Sequence, residues 1–247
     1  MSTSACLITW NEEQFLPQCL NFLNSIPEIE QICVLDSEST DNTQNILKNW
    51  KGEKELIWGS QKFENFSKQR NDCMSQATKN WILMIDGDEL YSPQLSYLLN
   101  KLNSMPKINA VRTWRAMMWP DVNHRLDIPN IDPQIRIWRR GFVHHERVIH
   151  ELPIAKDGRC LHSDTSDDIL TTYHSTDKEI IKVFIKHFQM LKTNESLEQK
   201  GKRWKEMGMI DLSTQYGLPI GPEIWLDQKI KAMNSKCSLV KLDADLL

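Results

Sequence analysis

The chain is short of glycine, with nine in 247 residues and as many tryptophans, where average usage of about 7% would give roughly twice as many glycines. No G-x-G-x-x-G or P-loop string occurs, so a nucleotide has to be met by something other than a glycine-rich phosphate cradle. The six cysteines (Cys6, Cys19, Cys33, Cys73, Cys160, Cys237) show no C-x-x-C spacing. Their scatter fits buried thiols in a reducing compartment better than a disulfide framework or a zinc site. Long apolar runs are missing too: WILMI is among the longest, far below the ~20 residues that cross a bilayer. The opening MSTSACLITW has no charged segment leading into an apolar stretch, so the expected location is cytoplasmic. Nor does one sign of charge dominate, since 30 Lys+Arg face 33 Asp+Glu for a net charge of −3. That balance speaks against a polyanion-coating protein, and no nucleic-acid partner is expected.

What is present is a packed core and a repeated unit. A 40% hydrophobic and 26% charged composition at this length suits one large domain, or one with a small appendage. Residues 6–9 read as a short buried strand. Asn11 is then placed to cap a helix with Glu12 and Glu13 in its first turn and Phe15, Leu16, Cys19, Leu20 and Leu23 on its apolar face. Residues 31–35 (QICVL) form a second strand, followed by polar DSESTDNT and a helical pattern through Ile46, Leu47 and Trp50. A third strand over 55–59 precedes a helix at about 67–77, and WILMI over 81–85 is the fourth, ending at Asp86. Pro93 suits the first turn of a helix carrying Leu95, Leu98, Leu99 and Leu102. These repeats predict an α/β class with a mainly parallel sheet flanked by helices and a ligand crevice at the carboxyl ends of the strands.

After Pro106 the pattern changes to strands or hairpins over 110–119 and 134–140, and seven of the ten arginines (Arg112, Arg115, Arg125, Arg136, Arg139, Arg140, Arg147) fall in this stretch. A polar acceptor, a phosphate or an exposed mixed sheet would each account for that bias. From Thr176 a T-x-x-E box with Glu179 predicts a helix with Ile180, Ile181, Phe184, Ile185, Phe188 and Leu191 on one face and lysines 178, 182, 186 and 192 around it. Packing onto the domain is the favoured use of that face, with peripheral membrane contact the most a bilayer would see. A further helix is expected near 223–233.

Asp86-Gly87-Asp88 is the sharpest local feature, because two carboxylates stand two residues apart at the end of an apolar strand with an open position between them. Mg²⁺ or Mn²⁺ takes such oxygens together with substrate phosphates. The bland alternative is a polar turn after a core strand. Two other strands of the first half end in polar segments where a ligand would sit, Thr9 to Glu12 and Asp36 to Asp41.

The runs LITWNEEQFLPQCLNFL, CVLDSESTDNTQNIL, FSKQRNDCMSQATKNWILMIDGDEL and VIHEL, in this order over residues 5 to about 175, resemble inverting glycosyltransferases of family 2 with the GT-A fold, and within them a subgroup containing lipopolysaccharide-core glucosyltransferases. The last seventy or so residues match only loosely. The resemblance implies a glycosyltransferase domain over 1–175, with a nucleotide-sugar half over 1–105 and an acceptor half over 106–175, and a helical extension over 176–247. It implies that Thr9, Trp10 and Asn11 line the base and ribose, with Trp10 as a stacking face, and that Glu12 assists them. Asp36 would pair with the uracil or ribose, Arg70 would reach the pyrophosphate, Asp86 and Gly87 would hold the ribose or donor sugar, and Asp88 would hold the metal. Ser39 and Asp41 are better suited to fixing a turn.

Inversion requires a carboxylate base opposite the leaving group. Glu151 of His150-Glu151 is the candidate, with Glu146 of His145-Glu146 as a competing register and local salt bridges as the bland alternative for both. His145 and His150 are five apart, not the four of a helical zinc motif, so a metalloprotease is rejected. His174 matches the histidine that completes the metal site in many GT-A enzymes, with His162 as a substitute. The expectation is transfer from a nucleoside-diphosphate sugar, UDP-glucose favoured, to a hydroxyl of a glycan, lipid-linked or peptide acceptor, with Mn²⁺ or Mg²⁺ as cofactor. Trp114, Trp119 and Trp138 are candidate acceptor contacts. The alternatives are a phosphohydrolase with Asp86 as nucleophile and Asp88 as acid, and a sugar-nucleotide-binding protein without catalysis.

Overall fold

The computed structural model describes residues 2–126, 132–148, 151–208 and 239–242. Strands β1 (Thr3–Thr9), β2 (Ile29–Asp36), β3 (Glu55–Ser60) and β4 (Trp81–Asp86) alternate with helices α1 (Leu16–Ser25), α2 (Thr43–Lys48) and α3 (Phe66–Ser75). β1 lies between β2 and β4, and β3 flanks β2, all parallel. The central strands are buried on both faces, so their sequences run apolar without alternation. On one side Ala5 and Leu7 pack with Leu16, Leu20 and Leu23 of α1 and with Leu95, Leu98 and Leu99 of α4 (Leu95–Lys101). On the other, Cys6 and Cys33 meet Cys73 and Met74 of α3. Each fully buried leucine here is worth roughly 2 kcal/mol over an exposed one. Cys6, Cys19, Cys33 and Cys73 are buried free thiols, as the sequence suggested.

The sheet does not stop at residue 105. It continues past β4 through β8 (Asp132–Arg139), β6 (Ala110–Met117), β12 (Phe184–His187) and β5 (Glu89–Tyr91), with β11 (Ile169–Thr171) also on β6. β8 is antiparallel to both β4 and β6, and is the seam between the two halves. Two small ribbons complete the described strands: β9 (Val143–Glu146) with β10 (Leu152–Ala155), and β7 (His124–Leu126) with β13 (Leu239–Lys241).

Two expectations need correction. The helix α1 starts at Leu16, not after Asn11, which has a φ of 52°. A helix begun at Glu12 would carry Pro17 in its interior, whereas α1 keeps it in the first turn, where its missing N–H costs nothing. The segment 176–192 is not an amphipathic helix: it is a single turn of 3-10 helix at Ile180–Lys182, the strand β12 and another turn at Gln189–Leu191. The apolar spacing of 180, 184, 185 and 188 serves a short core strand between two turns as well as a helix, and Val183, Phe184, Ile185 and Phe188 are buried accordingly. Because β12 pairs with both β6 and β5, residues 184–187 of the region 176–247 belong to the sheet and not to a helical extension. The described helix of that region is α5 (Asn194–Glu206), and the helix expected near 223–233 lies outside the described residues. Among the described residues no helix is long and apolar enough to cross a membrane.

Candidate active site

A cavity of about 660 Å³ opens at the carboxyl ends of β1 and β4. The expected Thr9, Trp10, Glu12, Arg70, Asp86, Gly87, Asp88 and Glu151 all line it. Gly87 has a steric reason: a Cβ there would stand 3.1 Å from Glu12 Cγ and 3.3 Å from Thr9 Cγ2, so glycine lets the β1 loop close onto the D-x-D turn.

The two aspartates of that turn belong to different clusters. Asp86 accepts from Arg70 Nη1 at 2.8 Å and Nη2 at 3.2 Å, and from Arg136 Nη2 at 3.1 Å. Arg70 stands on α3, 4% exposed, and its Nε donates to Glu151 at 2.5 Å. Arg136 comes from β8 and also reaches Glu89, which is fully buried and accepts from the Asp86 backbone N–H and from Arg115. Burial alone would push the Asp86 carboxyl up, but the guanidiniums of Arg136 and Arg70 hold it well below the usual carboxylate range. Burial, partly offset by Arg136, raises Glu89.

Asp88 is held otherwise. Lys192, from the turn between β12 and α5, puts Nζ 2.8 Å from Asp88 Oδ2 and 2.5 Å from Glu12 Oε1. All three side chains are more than nine-tenths buried. Burial acts against the Asp88 charge, yet Lys192 and nearby cations hold its pKa low. One ammonium cannot neutralise two buried carboxylates, so burial pushes Glu12 up to about 7 even beside Lys192. His187 lies 3.8 Å from Asp88, its pKa pushed down to about 3 by burial and Arg115, so it is neutral at ordinary pH. Lys200 on α5 lines the cavity and donates to Gln189 Oε1 at 2.8 Å.

The expected metal site is not assembled here. The Lys192 ammonium occupies the open side of Asp88 Oδ2, and no group of three or more His, Cys, Asp or Glu is arranged to hold a metal among the described residues. His174 follows β11, does not line the cavity and packs its ring edge-on against Tyr173. The histidine beside Asp88 is His187, hidden in the sequence because its segment read as a helix. His162, the substitute, lines the cavity at its exposed rim.

Asn11 and Asp36 also stand back from the cavity. Asn11 ties two loops, its N–H donating to Ser39 Oγ and its Oδ1 accepting from Thr40 N. Asp36 is fully buried and accepts from Thr9, Ser39, Gln44 and Ser60, a turn anchor rather than an open base contact. The Trp10 face carries the Arg203 guanidinium 4.1 Å from its centroid, a stack α5 supplies and the sequence did not announce. Trp138 is core, Trp114 stacks on Phe184, and neither these nor Trp119 line the cavity; the aromatic walls are Phe63, Phe66, Trp10 and Trp204. Between the competing glutamates, Glu151 faces the cavity, whereas Glu146 is exposed and paired with His144 at 2.9 Å. His150 lies outside the described residues.

Known proteins resemble parts of this chain. The glycosyltransferase SunS of Bacillus subtilis is 38% identical over 89 residues, 36% of this chain and 20% of that protein. An uncharacterized glycosyltransferase of Rickettsia typhi is 32% identical over 92 residues, 37% of this chain and 30% of that protein. The chain thus spans less than a third of the length of these relatives. Among solved structures, S. aureus TarS 1–349 in complex with UDP-GlcNAc aligns with a TM-score of 0.44 and 21% identity over 49% of this chain and 36% of that one. Mycobacterium tuberculosis glucosyl-3-phosphoglycerate synthase with Mn²⁺ and UDP-glucose aligns at 0.37 and 16% over 46% of this chain and 43% of that one. The profile of glycosyl transferase family 2 matches residues 4–152, more than half of the sequence, and takes in the D-x-D turn, Arg70 and Glu151: the chain belongs to this family.

Proposed function

We propose that the cavity binds a nucleoside-diphosphate sugar, a UDP-sugar being favoured and UDP-glucose first among them, and transfers the sugar with inversion to a hydroxyl of a glycan, lipid-linked or peptide acceptor. The observation that carries this reading is that Asp86, Asp88, Arg70 and Glu151, drawn from three separate segments, face one cavity at the strand ends. Glu151 takes the proton of the acceptor hydroxyl as the bond from the anomeric carbon to the diphosphate breaks. Arg70 is its positioning residue, since one guanidinium holds both Glu151 and Asp86 and fixes base and donor in one frame. The ion pair fixes where the Glu151 carboxylate stands, which favours orientation. The donor diphosphate meets the cationic wall formed by Lys200, Arg203 and Arg115. Lys192 takes the Asp88 carboxylate that would otherwise be open to Mn²⁺ or Mg²⁺.

The phosphohydrolase reading fares worse. Its nucleophile would be Asp86, whose two oxygens are engaged by two guanidiniums, and its acid would be Asp88, whose pKa is held too low to supply a proton near neutrality. The test is a screen of UDP, GDP and their sugars for a rise in melting temperature, followed by hydrolysis of the donor that binds, with and without Mn²⁺. UDP and a UDP-sugar are expected to raise it. Stabilisation by no nucleotide, with turnover of simple phosphate esters, would overturn the reading.

A further inference from the structure

The carboxylate pair Glu12–Asp88 and its lysines invite a question that family membership does not answer: what balances charge where the donor's diphosphate arrives. We propose that Lys192 is the built-in cation of this site, holding the place between Glu12 and Asp88 that a divalent ion would need, and that Lys200 beside it presents positive charge to the diphosphate. The inference rests on the donor reading above and deepens it by naming the chain's own groups as the counter-charge.

Three observations carry it. First, the ammonium is enclosed: Lys192 is 3% exposed, with Glu12 at 2.5 Å and Asp88 at 2.8 Å, so a metal reaching Asp88 has to displace a buried ion pair. Removing one partner of such a pair is strongly unfavourable, because it leaves the other charge buried and uncompensated. Second, the position is fixed by the fold. Lys192 follows β12, whose hydrogen-bonded ladder lies inside the sheet, and precedes Thr193, whose hydroxyl caps α5 by accepting from Ser196 N. Both ends of this short turn are therefore pinned. Third, α5 repeats the sign of charge along one face. Lys200 and Arg203 are three residues apart, the spacing that puts side chains side by side on a helix, and both line the cavity. Arg70, the residue expected to reach the pyrophosphate, has its guanidinium engaged by Asp86 and Glu151. The counter-charge thus comes from Lys192 and α5, not from α3.

The test is calorimetric binding of two probes, UDP and inorganic pyrophosphate, to the wild-type protein in EDTA and in Mn²⁺. Binding in EDTA is expected, little changed by Mn²⁺, and Lys200→Met should weaken it about tenfold in EDTA, as loss of a charge-assisted contact to phosphate does. Lys192→Met should lose binding in EDTA and regain it with Mn²⁺, since the Glu12 and Asp88 carboxylates are then released to a cation; Mn²⁺ binding to this variant, read by electron paramagnetic resonance, should exceed that of wild type. Lys192→Arg should retain binding in EDTA. The inference is overturned if the wild type binds neither probe without Mn²⁺, a result that stands whether or not the Lys192 variant folds. If pyrophosphate binds in EDTA and UDP does not, the cation site stands and the uridine donor falls.

Discussion

Asp86 and Asp88 stand two residues apart on one turn and are served by different cations. Asp86 is gripped by guanidiniums from α3 and β8, planar groups whose paired N–H donors fix both the carboxylate and, through Arg70, Glu151. Asp88 meets an ammonium, a compact charge without a directional fork, shared with Glu12. Arginine therefore builds the rigid side of the cavity, and lysine the side where two carboxylates share one ammonium. The two clusters should answer differently to mutation and to pH.

The largest effect is expected on the arginine side. Glu151→Gln should leave nucleotide affinity intact and cut transfer by about 10²- to 10⁴-fold in a turnover assay. A variant with near wild-type transfer would remove Glu151 as base and direct attention to Glu146. Arg70→Met leaves Glu151 without its guanidinium and Asp86 with Arg136 alone, and urea unfolding should show a loss of about 3–5 kcal/mol. If stability is unchanged, the guanidinium bridge is not what holds this side together.

On the lysine side Asp88→Asn is expected to be milder, about 1–3 kcal/mol, because Glu12 remains to pair with Lys192. A loss as large as that of Arg70→Met would erase the distinction between the clusters. The pH slopes should have opposite signs. Asp86, with its pKa depressed in the folded state, contributes stability present above about pH 4 and lost as pH falls through its folded value. Glu12, raised to about 7, works in reverse: the favourable contribution of its protonated form is complete below about pH 4.5 and is lost as pH rises through 7. Unfolding free energy measured across pH should show Glu12→Gln flattening the upper limb and Asp86→Asn the lower; an exchange of those limbs contradicts the assignment. The smallest effect is that of Arg203→Ala, which uncovers Trp10 and should cost about 0.5–1 kcal/mol in thermal unfolding.

The first hundred residues were legible because parallel strands buried on both faces read as apolar runs, and each run ended where the structure ends its strand within a residue or two. Glu151 and Arg70 were reached through resemblance, not spacing. Arg136 carried a signal that went unused: a charged residue inside the apolar run QIRIW of a core strand requires a buried partner. Lys192 carried none. It looked like one of several lysines on a solvated helix face, and its partner Glu12 is 180 residues away. The helix expected over 176–192 failed because short apolar segments between single turns have no period long enough to separate strand from helix.

The strand β12 also bears on where this protein can be cut. The family profile ends at residue 152, and a boundary drawn there, or at 175, would pass for the end of a domain. Yet β12 lies between β6 and β5 as an inner strand, and the chain beyond it supplies Lys192, Lys200 and Arg203 to the cavity. A chain shortened at either point would expose the open edges of β6 and β5, a template for intermolecular pairing. The family profile and the sheet therefore end at different places along this chain.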